Sequence, residues 1–186
     1  MLLVIAAVLL IASVPLAGGS LKRLGELDIH AAWTVLLSAA IQVAITSAIR
    51  GGSHEVHVVL HFASYALVVW FLVANRQMFG MPVLALGAAL NVLAIAANDG
   101  TMPASAFALR VSGIDTSGGF DNSGLVHHAH LQFLGDIIPV PGPWPIGNVL
   151  SIGDLLIYAG GFIVLHYACQ SRLAIGRRGR LAGAEA

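Results

Sequence analysis

The chain has 186 residues, 58% of them hydrophobic and 10% charged, with a mean hydropathy of +0.86, which excludes an ordinary water-soluble domain and makes a bilayer the expected solvent. Nine basic and nine acidic side chains cancel, so no charge excess points to nucleic acid and the position of each charge matters more than the sum. A single cysteine, Cys169, excludes an internal disulfide and any paired-cysteine metal motif; it is either an acylation site near a membrane face or a small apolar filler.

Five apolar runs of about 16 to 21 residues follow one another at 2–17, 29–49, 56–74, 82–97 and 149–169, close to the roughly 20 residues that cross a hydrocarbon core. The first has no basic flank, and Pro15-Leu16-Ala17 poorly matches a small-x-small cleavage site, so it reads as a helix rather than a signal peptide. Lys22 and Arg23 follow the first run, Arg76 the third, and Arg172, Arg177, Arg178 and Arg180 the fifth. The other side receives Arg50 and Arg110, so the positive-inside bias predicts an outer N-terminus and a cytoplasmic C-terminus. The expected fold is a single all-α membrane domain over 1–186, of about five transmembrane helices in the plasma membrane, with a long extracytoplasmic loop at 99–148 and a basic tail at 170–186. Asp28 is expected to cap the second helix, Pro82 to sit in the first turn of the fourth, and Asn98-Asp99-Gly100 with Pro103 to end it. No internal repeat is visible, which disfavours the inverted-repeat design of many transporters.

The loop of about 50 residues far exceeds the roughly 12 to 15 at which structureless connections become uncommon. Its middle, from Ser112 to Gly124, has the composition of a flexible tip, whereas Leu125 to Ile138 is apolar enough to pack. The run Pro139-Val-Pro-Gly-Pro-Trp-Pro145 is expected to take an extended path outside helix and strand interiors, with Trp144 at headgroup level.

Three polar clusters fall on the predicted outer side. His54, His57 and His61 are spaced i, i+3, i+7 and share a helix face, and His127, His128 and His130 lie in the loop that could cover it. Neutral imidazoles are ligands for divalent transition metals, so these six are a candidate metal set. The bland reading makes them interfacial or helix-bridging residues. His54-Glu55-Val56-His57 is one residue short of the zincin motif, so no protease mechanism follows. His30 and His166, towards the cytoplasmic ends of their spans, carry no flanking pattern for haem. In the second cluster, Asn91 and Asn98 share a face of the fourth helix and Asp154 lies inside the fifth run, where an ionised carboxylate costs about 2.5 to 3.5 kcal/mol and needs a partner. Ser151-Ile-Gly-Asp154 also reads as a capping box. The third is Asp136, before the proline-rich run, which either joins the pocket or holds a turn.

Asn91, Asn98, Gly100, Met102-Pro103, Leu134-Gly135-Asp136-Ile137-Ile138-Pro139, the Pro-Trp-Pro run and Asn148 through Ser151-Ile152-Gly153-Asp154 together resemble a family of bacterial and archaeal membrane proteins catalogued only as a domain of unknown function. The resemblance implies a small polytopic membrane protein and supplies no activity, substrate or cofactor. The histidine stripe is not part of its pattern.

Three functional classes follow. A polar pocket of Asn91, Asn98, Asp136, Asp154 and the third-helix histidines would bind a small ligand, lipid headgroup or metal; an enzyme built on it would use Asp154 or a histidine as general acid/base, and no nucleophile motif names a reaction. A structural subunit would pack in a homo-oligomer or larger membrane complex through Gly160-Gly161 and the alanine-rich second and fourth spans. A transporter of protons, metals or solutes would need His30, Gln42, Thr46, His166 and Tyr167 to finish the route.

Overall fold

The computed structural model describes residues 2–45, 54–114, 123–124, 126, 128–142 and 147–174, and these are mostly helical. Five apolar helices carry the fold: α1 (Leu2–Leu16), α2 (Ala32–Val43), α3 (His54–Ala74), α4 (Met81–Ala96) and, after a shorter α5 (Ala106–Val111), α6 (Ile152–Ala168). Among the described residues, α3 alone is long and apolar enough to cross a bilayer by itself, over Val56–Ala74, with a mean hydropathy of 2.0. The other four are apolar but shorter; at ~1.5 Å per residue, the 17 residues of α6 rise about 26 Å and the 12 of α2 about 18 Å, against a hydrocarbon core of about 30 Å.

Helices α2 and α6 start later than expected for a visible reason, and residues 46–49 at the end of the second run lie outside the described residues. The second was expected from residue 29 under an Asp28 cap, yet α2 starts at Ala32 with Ala31 in the left-handed region (φ 54°) and no side-chain cap. Asn75, just past α3, holds the preceding peptide instead: its Oδ1 accepts from the His30 N–H at 3.0 Å and its Nδ2 donates to the His30 carbonyl at 2.8 Å. Asp28 is left in solvent, 3.7 Å from His30 Nε2. The fifth span was expected from residue 149, but Asn148–Leu150 is a strand and α6 begins behind a complete capping box at Ser151. Pro82 does stand at the start of α4, and Asp99 (φ 53°) and Gly100 (φ 87°) end it by turning left-handed.

The tightest seam joins α4 to α6, and glycine makes it possible. A methyl group on Gly87 would strike the Gly153 carbonyl and the Ile157 N–H, and one on Gly160 would strike the backbone of Leu84. Gly87 on one helix, with Gly153 and Gly160 seven residues apart on the other, therefore lets two backbones touch without side chains between them. This overturns the outward small-residue face expected at Gly160-Gly161: Gly160 is enclosed inside the bundle, and Gly161 looks towards Leu10 of α1. Helices α2 and α3 form the second pair, bridged by Gln42, whose Nε2 lies 3.1 Å from His61 Nδ1 and donates to Ser64 Oγ at 2.6 Å.

Helix α1 is latched to the end of α6 by a partly buried chain of one polarity. Ser13 Oγ donates to the Leu10 carbonyl at 2.6 Å, so it accepts from His166 Nε2 at 2.9 Å, and His166 Nδ1 accepts from Ser171 Oγ at 2.6 Å. Backbone bonds from Ser20 to Cys169 and from Arg172 to Ala17 close the same corner. Cys169 is 1% exposed there, an apolar filler rather than an accessible thiol.

At the opposite end the segment after α4 folds into a cap. Strand β1 (Met102–Pro103) pairs in parallel with β2 (Ser123–Gly124), and β3 (Ile138–Val140) pairs antiparallel with β4 (Asn148–Leu150). Two small cores fill it: Ala104, Ala108, Leu109 and Val149 in one, and Ala94, Met102 and Leu134 in the other. The apolar stretch 125–138 thus packs where it is described, through Leu131 and Leu134 around a 3-10 turn at Gln132–Leu134. Pro139 corrects the expectation that the proline run avoids strands, since it sits at the centre of β3 opposite Val149. A two-stranded ribbon has a free edge, where a residue without an N–H costs nothing. Residues 115–122 and Trp144 lie outside the described residues.

The seam predicts opposite effects at adjacent glycines. Gly160→Ala should lose about 1 to 3 kcal/mol by overpacking, whereas Gly161→Ala, with its nearest neighbour at 3.8 Å, should be neutral or gain up to ~1 kcal/mol from helix propensity. Thermal unfolding in detergent, followed by helical circular dichroism, checks the contrast.

Candidate polar site at the loop end

The structure brings Asn91 and Asp154 together across the α4–α6 seam. Asn91 Nδ2 donates to Asp154 Oδ1 at 2.8 Å, and Asn91 Oδ1 accepts from Ser151 Oγ at 2.8 Å. The capping box completes a closed ring: Ser151 N–H donates to Asp154 Oδ2 at 2.9 Å, and Asp154 N–H donates to Ser151 Oγ at 2.9 Å. The two sequence readings of Asp154, helix cap and partnered carboxylate, are therefore both true, one on each oxygen. Gly153 is what admits Asn91 so close, because a methyl group there would collide with Asn91 Oδ1.

Asn98 takes no part in that ring. It is buried, and its Nδ2 donates to the Ala94 carbonyl at 2.7 Å and the His130 carbonyl at 2.8 Å, while Oδ1 accepts from the His130 N–H at 2.9 Å. One amide thus replaces a strand neighbour for the loop. Asp136 is 5% exposed and its backbone runs beside β1: its N–H donates to the Pro103 carbonyl at 2.9 Å and its carbonyl accepts from the Ser105 N–H at 3.0 Å. Gly135 is required at this crossing, since a methyl group would meet the Pro103 carbonyl.

The histidines separate into two places. His57 and His61 are buried on α3, with His61 turned to Gln42 of α2. Gln42 Nε2 can only donate, so His61 Nδ1 accepts and the ring proton is assigned to Nε2. His128 and His130 have exposed side chains in the cap, near Asn98. The side chain of His54 and all of His127 lie outside the described residues. Among the described residues, no three His, Cys, Asp or Glu side chains are grouped so as to hold a metal ion. His30 is exposed beside Asp28, and both ring nitrogens of His166 are taken by hydroxyls, so the two do not form an open ligand pair.

Sequence reasoning missed Asn75, the counterpart of Asn98. Each donates to the carbonyl four residues earlier, Phe71 for Asn75 and Ala94 for Asn98, and each clamps both backbone groups of one histidine. A signal was present: Ala74-Asn75 precedes Met81-Pro82, and Ala97-Asn98 precedes Met102-Pro103. The roles of Ser13 and Ser171 had no signal in one sequence.

Residues 26–166 match the model of a family of unknown function, DUF5317. An uncharacterised protein of Thermotoga maritima is 32% identical over 100 residues, which is 54% of this chain and 58% of that protein. The chain therefore spans little more than half of that relative's length. No solved structure matches.

Two outcomes follow from the geometry. A double-mutant cycle of Asn91→Leu and Asp154→Asn should give a coupling of about 0.6 to 1.7 kcal/mol, the range of interhelical hydrogen bonds in membranes, read from unfolding in mixed micelles. Asn98→Ala should speed amide hydrogen exchange at His130 and through Gln132–Leu134 and leave His30 protected, whereas Asn75→Ala should do the reverse.

Proposed function

The chain belongs to the family of unknown function DUF5317, whose model covers residues 26–166, and from that premise we propose that it is a five-pass membrane scaffold that presents apolar helix flanks to lipid and to a partner in a larger membrane complex. The N-terminus and the cap lie outside the cytoplasm in this reading, and the end carrying Lys22, Arg23, Arg76 and Arg172 lies inside.

The observation that supports it is where the apolar surface lies. Within the apolar window of α3, 22% is buried, the opposite of a soluble core helix, and Leu9, Leu16, Leu36, Val43, Val59 and Trp70 are each 60% exposed or more. Continuous faces of that kind are unfavourable in water and ordinary in a bilayer. The four shorter helices fit a membrane when the cap and the connecting turns complete the crossing, since protein-buried irregular backbone is tolerated at membrane depth. The polar residues, in turn, act as fasteners: Asn91, Asn98, Gln42 and His166 each join two elements. That supports a rigid scaffold over a proton or solute route.

A second reading keeps the polar cluster as a binding site. Asp154 is half-buried, and among the described residues it has no cationic partner, so its carboxylate could receive a small ligand or headgroup bearing a donor. Substitution of Asp154 by Asn, which removes the charge and one accepted hydrogen bond, would then remove the ligand while helical circular dichroism stays unchanged.

The scaffold reading predicts that the full chain stays with membranes in alkaline carbonate, that a periplasmic reporter fused after Gly113 is active, and that a fluorescent protein fused to the C-terminus lights in the cytoplasm. It also predicts a co-migrating partner in mild detergent. Release by carbonate would overturn the membrane part, and a lone monomer would overturn the scaffold part.

A further inference from the structure

A groove of about 490 Å³ runs between α3 and α4, away from the polar cluster. Its walls are apolar, and its one charged residue is Arg76, just past the end of α3. On α4 it follows Ala85, Ala89 and Ala96, which share a helix face and leave room where larger side chains would fill it. From Ala85 to Ala96 that face extends about 16 Å at ~1.5 Å per residue, close to one leaflet of a core about 30 Å thick. Val69, Val73, Ala89 and Ala96 are exposed, so the groove is open along its side.

Arg76 is also exposed, and one of its guanidinium nitrogens donates to the Val73 carbonyl at 3.1 Å, which draws the head back over the α3 wall. Among the described residues it has no carboxylate within salt-bridge distance. A guanidinium carries five donors in a planar fork suited to phosphate oxygens. Lys22, Arg23 and Arg172 belong to the same end of the bundle.

We propose that this groove is a binding site for an anionic phospholipid, with an acyl chain along the alanine face of α4 and the headgroup phosphate on Arg76. The proposal rests on the membrane orientation given above, which places Arg76 at the cytoplasmic leaflet, where anionic lipids gather. A neutral alkyl occupant would fill the groove and leave the guanidinium unanswered. An anionic amphiphile satisfies both.

The test is native mass spectrometry of the full chain released from detergent with phosphatidylglycerol or phosphatidylcholine of identical acyl chains. Phosphatidylglycerol should be retained about fivefold better, the ratio that one basic residue contributes near an anionic surface. Arg76→Gln should abolish the preference, and Arg172→Gln, a control away from the groove, should keep it. Ala89→Phe, on an exposed position that the fold does not need, should lower retention of both lipids. Equal retention by the unaltered chain, a preference that survives Arg76→Gln, or no effect of Ala89→Phe would each overturn the site. A dimer mass lost in Ala89→Phe would do so too, since it would put a second copy in the groove. Carbonate extraction of the same variants separates this from a failure of the membrane reading, because the lipid ratio is read in detergent.

Discussion

Two backbones in contact along α4 and α6 organise much of the molecule, because α1, α3 and the cap each pack on one of these two helices. Gly87, Gly153 and Gly160 remove the side chains that would hold the helices apart. The dispersion attraction between backbones this close does not depend on a hydrophobic drive. The same approach is what puts Asn91 within reach of both Ser151 and Asp154. The polar ring is therefore a consequence of the glycines, and it fixes their register: sliding α6 by one turn would leave a carboxylate and an amide unpaired in an apolar surrounding, where each loses the whole of its hydrogen bonding.

Outside the seam, side-chain amides take the part that sheet neighbours play elsewhere. Asn75 and Asn98 each stand at a helix end, and each side chain donates to the carbonyl four residues earlier while gripping both groups of a distant peptide; the Phe71 carbonyl accepts from the Asn75 backbone N–H as well. The gripped residues resemble each other as well: His30 precedes a left-handed Ala31 that opens α2, and His130 precedes a left-handed Leu131 that opens a 3-10 turn. In both places the imidazole is incidental to the grip, which uses only backbone atoms.

Helix positions were legible because apolar runs broken by Gly, Pro and Asn leave few alternatives, and α1, α3 and α4 end within about a residue of expectation. The starts of α2 and α6 were not legible. A hydropathy run cannot tell helix from strand at Val149-Leu150, nor show that Asn75 would pull residues 29–31 out of a helix. Among the described residues one helix, α3, is long and apolar enough to cross a bilayer, and the end of the second run, 46–49, lies outside them. In the site, the spacing of Asn91, Ser151 and Asp154 was readable as a cluster, since a capping box and an acid within an apolar run are both local patterns. Asn98 was readable as important and misassigned in company, because periodicity puts it on the face of Asn91 while the chain beyond α4 decides what that face meets. The partners of His166 depend on α1 packing beside α6, which no local pattern encodes.

The direction of the hydrogen bonds bears on function as much as their presence. In the α1–α6 latch each group gives one proton and receives one, from Ser171 through His166 and Ser13 to the Leu10 carbonyl. Such a chain has a single favourable proton arrangement at its closed end, a backbone carbonyl that cannot pass a proton onward. A conducting relay needs the opposite: an exit, and members free to turn over and reset. The ring of Asn91, Ser151 and Asp154 is closed in the same sense, with backbone N–H groups as fixed donors. Both networks thus direct their polarity to holding helices in place. Outside these networks, the outer surface of the bundle presents apolar faces, with a cation, Arg76, at one end of the groove between α3 and α4.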